Sequence, residues 1–107
     1  MSEARIQAEI RLALGSLGMV FWRNNTGVFR DGGRFVRFGL AVGSADLIGI
    51  VEGRFCALEV KQPGKRATIE QAKWLKVVRL YGGFGAVVTS VQEALEAVER
   101  CRDGGCE

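Results

Sequence analysis

Asp46, Glu59 and Lys61 have the side-chain types and spacing for metal-assisted hydrolysis. Glu59 and Lys61 stand two apart in the run FCALEVK, so on a strand they project from one face. Burying such groups costs on the order of several kcal/mol unless they are paired or hold a metal. A lone Glu-x-Lys is more often a solvent-facing edge. Asp46 changes that balance. It opens the apolar run DLIGIV, and EGR (52–54) can fold the chain back as a hairpin, with Gly53 taking positive φ. A hairpin centred near Gly53 sets Asp46 opposite roughly residue 60, beside Glu59. Two carboxylates so close repel unless a cation lies between them. Mg²⁺ and Mn²⁺ favour such oxygen donors and keep several waters. An ion held there eases deprotonation of water, and the Lys61 ammonium can orient that water or offset charge on a phosphate.

The elements that must position these groups follow from periodicity. Residues 3–17 predict a helix, with Ile6, Ile10, Ala13, Leu14 and Leu17 at helical spacing and Gly15 and Gly18 at its end. MVFWR (19–23) predicts a short strand. NNTGVFRDGGRFVRFG predicts a loop or a hairpin, with RFVRF (34–38) alternating basic and aromatic residues. DLIGIV and FCALEVK form the hairpin that carries the acids. Thr68 to Gly83 predicts a helix closed by Gly82 and Gly83, then a buried strand GAVVT (85–89). SVQEALEAVERC predicts the last helix, opened by an S-x-x-E capping box. The result is one α/β domain over residues 1–107 in the order α-β-β-β-α-β-α.

Composition narrows the chemistry further. The 107 residues suit one domain, and 48% hydrophobic content with a single proline argues against a disordered chain. No apolar run reaches the ~18 residues of a membrane span, and the charged N-terminus is unlike a signal peptide. The three cysteines, Cys56, Cys101 and Cys106, lack zinc-like spacing. Cys101 and Cys106 could pair, but free thiols in a reducing cytoplasm are the simpler expectation. The chain has no histidine, which removes Ser-His-Asp and Cys-His nucleophilic sites and histidine bases. Hydrolysis here must rest on carboxylates, lysine and a hard metal ion. From Arg23 to Arg79 eleven Lys or Arg face five acids, while acids lead after Val91. A basic middle of this kind suits a polyanionic partner such as nucleic acid.

GSADLIGI followed by ALEVKQPGKRATIEQAKWL resembles the PD-(D/E)xK nuclease superfamily, and more narrowly its VRR-NUC family of virus-type replication-repair nucleases. The N-terminal helix, the RNNTG segment and the GG-x-G-x-V-V strand extend the resemblance over most of the chain. Ala45 stands where the family name has proline, a position that shapes the turn and carries no chemistry. The resemblance implies a restriction-endonuclease-like core, a mixed sheet flanked by helices. It implies Asp46, Glu59 and the Val60 carbonyl as ligands to Mg²⁺ or Mn²⁺, and Lys61 as the catalytic lysine. It also implies a homodimer acting on branched DNA such as Holliday junctions, in a bacterial or phage-infected host cytoplasm.

Gln71 has two readings. Thr68-Ile69-Glu70-Gln71 is a T-x-x-Q capping box, yet Gln71 shares the inward face of Trp74, Leu75 and Val78, and the resemblance implies a place in the site. The family resemblance also implies a glutamate on the first helix near the metal. Glu3 lies on the stripe of Ile6 and Ile10 and Glu9 flanks it; the resemblance of the start, SE-x-x-IQ, to that of family members favours Glu3. Arg23, Asn24, Asn25, Arg30, Arg34 and Arg37 sit among Trp22, Phe29, Phe35 and Phe38, a mixture that can contact phosphates and stack on unpaired bases, or whose aromatics can be core. Lys65 and Arg66 follow the catalytic strand on a loop suited to a phosphate backbone. The expected activity is a structure-selective, metal-dependent DNA endonuclease. Its alternatives are a non-catalytic DNA-binding module and a sequence-specific restriction-type endonuclease. For the latter, 107 residues leave little room for a separate recognition domain.

Overall fold

The computed structural model describes residues 1–107 as an α/β fold. The elements are α1 (Glu3–Ser16), β1 (Val20–Arg23), β2 (Gly27–Asp31), β3 (Arg34–Phe38), β4 (Leu47–Val51), β5 (Arg54–Val60), α2 (Ile69–Leu80), β6 (Phe84–Val88) and α3 (Val91–Arg102). The main sheet runs β1-β4-β5-β6; β2 and β3 pair apart from it. β4 is antiparallel to both β1 and β5, and β6 is parallel to β5, so the sheet is mixed. The α2 crossover supplies the long connection that a parallel pair needs. The expected order holds except over 27–38. Those residues make two strands, so five strands precede α2 where three were expected. No helix is long and apolar enough to cross a membrane.

Helices cover both faces. Ile6, Ile10 and Leu14 of α1 and Ala94, Ala97, Val98 and Cys101 of α3 bury against Leu47, Cys56, Leu58, Val60, Phe84 and Val88. That is the main core. On the opposite face Leu75 of α2 packs with Ala45 and Ala57. Both faces of β5 are therefore dry along most of its length, which is why it reads as a near-continuous apolar run. α2 lies over β5 and β6, and the β1/β4 half of that face stays open, with Val20, Trp22, Ile50 and Phe55 exposed.

Two local details differ from the sequence expectation. The β4–β5 turn is Glu52-Gly53, both at positive φ (48° and 82°), and Arg54 already belongs to β5. Positive φ at both central residues is the two-residue turn that matches strand twist. Second, Ser90 caps α3 by accepting from the Glu93 amide, but the Glu93 carboxylate reaches back to Thr89, accepting from its amide at 2.7 Å and its hydroxyl at 2.8 Å. The expected reciprocal box at Ser90 is thus shifted by one residue. At α2 the reciprocal box of Thr68 and Gln71 is complete.

Candidate active site

The two-residue turn fixes the register that assembles the site. Leu47 pairs with Leu58, and one further step places Asp46 opposite Glu59 rather than residue 60. Directly opposed residues share a face, so Asp46, Glu59 and Lys61 all project toward the α2 side. Asp46 Oδ2 accepts from the Val60 amide at 2.9 Å, which ties the acid to β5 beyond the last paired residue of β4. Because the N–H and C=O of one strand residue point to the same edge, the Val60 carbonyl also faces the Asp46 side. Lys61 continues the strand on its other edge, its amide donating to the Val88 carbonyl at 3.0 Å.

Glu59 is the unusual group. Its side chain is 2% exposed, and its Oε1 is buried with no hydrogen-bond partner. Oε2 accepts from Gln71 Nε2 at 3.2 Å and lies 3.9 Å from Lys61 Nζ, itself only 12% exposed. Burial pushes the Glu59 carboxyl up to about 9; the neighbouring Asp46 carboxylate adds to this, the Lys61 ammonium opposes it, and the Glu3 charge adds least. Two carboxylates that face each other have no proton to exchange when both are ionised, so the orphaned oxygen needs a proton or a cation.

Gln71 bonds both to the start of α2 and to Glu59. Its backbone amide donates to Thr68 Oγ1 at 3.2 Å and its Oε1 accepts from the Thr68 amide at 2.8 Å, while Nε2 faces Glu59. One amide side chain therefore closes the start of α2 and holds the buried acid.

The segment that carries Asp46 is clamped by Asn24, which the sequence groups with Arg23 and Asn25 as a nucleic-acid contact. Asn24 Nδ2 donates to Ser44 Oγ and to the Ala45 carbonyl, both at 2.8 Å, and the Asn24 amide donates to the Asp46 carbonyl at 2.7 Å. Asn24 stands beside Arg23 and Asn25 in RNNTG; its signal was an asparagine at a strand end, where its amide can bond to backbone. On the other side Gly43, at φ 87°, presses so close to α2 that a Cβ would lie 2.6 Å from the Glu70 carbonyl oxygen.

The remaining expected residues separate into two groups. Glu3 is exposed on α1 and influences Glu59 through its charge alone; Glu9 pairs with Arg5 at 3.5 Å. No third Asp, Glu or Cys converges with Asp46 and Glu59. Arg23, Asn25, Arg30, Arg34, Arg37, Lys65 and Arg66 are all exposed: Arg23 on β1, Asn25 between β1 and β2, Arg30, Arg34 and Arg37 on the β2–β3 hairpin, and the last two on the loop after β5. Phe29, Phe35 and Phe38 are exposed as well, so the hairpin aromatics are not core. All three cysteines are free thiols.

The donor set fits a hard divalent ion. It offers two carboxylates, one with an unsatisfied buried oxygen, and a carbonyl on the same side. No protein-family model matches the chain, and no curated protein matches it in sequence.

Proposed function

We propose that this protein is a Mg²⁺- or Mn²⁺-dependent DNA endonuclease with a restriction-endonuclease-like core of the VRR-NUC type. The observation that carries this reading is Glu59: a buried carboxyl with an orphaned oxygen, opposite Asp46 and beside a nearly buried Lys61. Burying the Glu59 carboxyl opposite the half-buried Asp46 costs on the order of several kcal/mol, a cost that a bound cation would offset. Asp46, Glu59 and the Val60 carbonyl would hold the ion. Bound there, it supplies Lewis-acid polarisation of a phosphate and eases deprotonation of water. Lys61 Nζ, 3.9 Å from Glu59, would orient the attacking water or offset charge developing on the phosphate. Gln71 fixes the Glu59 rotamer, and Asn24 fixes the backbone of Asp46.

The exposed arginines and lysines on β1, the hairpin and the loop after β5 support a polyanionic substrate. Contacts from such residues to phosphates position a duplex without reading bases, so selectivity is for DNA structure, as at a branch or Holliday junction. The open apolar half of the sheet supports a homodimer: Val20, Ile50 and Phe55 cluster at the turn end of the strands, away from Asp46.

Titration calorimetry with Mn²⁺ tests the site. The wild type binds the ion, and Asp46→Asn abolishes binding while the circular dichroism spectrum stays unchanged. Equal binding by the two proteins would mean that other residues hold the metal.

A further inference from the structure

The β2–β3 hairpin has two unlike faces. Its register pairs Val28 with Arg37 and Arg30 with Phe35, and these four side chains share one face. The opposite face carries Phe29 and Val36, Gly27 and Phe38, and Asp31 with Arg34. On that second face the apolar groups occupy one another. The Phe29 and Phe38 rings lie 6.2 Å apart, and the Phe38 ring fills the space a Cβ on Gly27 would take. The first face has no such closure. Phe35 is 75% exposed, with the Arg30 guanidinium 5.7 Å from its ring centroid, and Arg37 stands one pair further in.

The hairpin grows directly out of the candidate active site. Its entry follows Asn24 and its exit leads into Ser44, the two residues bonded at 2.8 Å next to Asp46. At roughly 3.3 Å per residue, Phe35 stands on the order of 10 Å out from the hairpin base. An exposed aromatic ring bordered by two arginines, with no acid on that face, is complementary to one chemistry: a base to stack on the ring and phosphates for the guanidinium groups. Inside a duplex the bases cover one another, so apart from its two terminal pairs it offers no free base face.

We propose that the Arg30–Phe35–Arg37 face of the hairpin is a stacking platform for an unpaired stretch of DNA, and that it selects substrates with a single-stranded segment close to the cleavage point. This rests on the nuclease reading for its purpose, but the binding itself does not require catalysis.

The test measures binding without divalent ions, in EDTA, by fluorescence anisotropy with labelled oligothymidine and with a labelled blunt duplex. Phe35→Ala weakens oligothymidine binding roughly five- to a hundredfold and leaves duplex binding within about twofold. Phe35→Trp retains the single-strand affinity, and oligothymidine quenches its emission beyond the wild-type change from Trp22 and Trp74. Arg30→Gln weakens both probes, because phosphate contacts are common to them. Unaltered oligothymidine binding by Phe35→Ala, or an equal loss on both probes, overturns the platform. Cleavage with Mn²⁺ is scored separately. Phe35-dependent binding with no cleavage upholds this inference and sinks the nuclease reading, whereas cleavage with Phe35-independent binding does the reverse.

Discussion

The behaviour of Glu59 follows from where its proton goes. Unfolded, the carboxyl loses its proton near 4.5; folded and free of metal, at about 9. The native state therefore holds one more proton than the unfolded chain between those values. Its stability contribution is complete below 4.5 and is lost as pH rises through the window. Glu59→Gln removes the titration and keeps the Gln71 contact in reach. Urea midpoints of the metal-free proteins should converge at acid pH and separate toward alkaline pH, with the variant more stable by on the order of 1–3 kcal/mol. Parallel pH profiles for the two proteins would mean that Glu59 is not buried as described. Lys61 limits the effect, since its ammonium 3.9 Å away favours the ionised acid.

At the scale of elements, the site depends on how closely the segment before β4 approaches α2. Gly43 combines a positive φ with a collision course toward Glu70, whereas Gly53 has a positive φ and open space. Gly53→Ala should cost about 1 kcal/mol from backbone strain alone, and Gly43→Ala about 2–4 kcal/mol, because the helix start must also move. Thermal melts check the pair; equal losses would show that the contact with α2 is not tight. The hairpin that joins Asp46 to Glu59 was legible because an acid opens one apolar run and a Glu-Gly turn links it to the next. It was misplaced by one residue because Arg54 reads as turn chemistry when it is strand, its guanidinium being drawn to the Cys101, Gly105 and Gly82 carbonyls. The Asn24 clamp could not be read from spacing, since it joins residues twenty apart through one side chain. RFVRF puts a basic and an aromatic residue on each face of the strand, so periodicity alone could not decide which face, if either, is buried.

At the scale of the molecule, the three helices leave half of one sheet face open, and the basic hairpin stands apart from the core. Sedimentation velocity should find a dimer, and Ile50→Glu should convert it to a monomer by placing a charge among Val20 and Phe55. A wild type that sediments as a monomer would remove dimerisation through this face. The central claim, that Asp46, Glu59 and Lys61 form a metal-dependent phosphodiester-cleaving centre, is tested most directly by cleavage of a panel of DNA structures. Holliday junctions, flaps, single strands and blunt duplexes are incubated with wild type and Lys61→Ala in Mg²⁺ and in Mn²⁺. The wild type should cut branched DNA in preference to blunt duplex and only with the ion present, and Lys61→Ala should lose on the order of a hundredfold or more. A wild type that cuts none of these DNAs with either ion, or a Lys61→Ala variant that cuts as fast, would contradict the account.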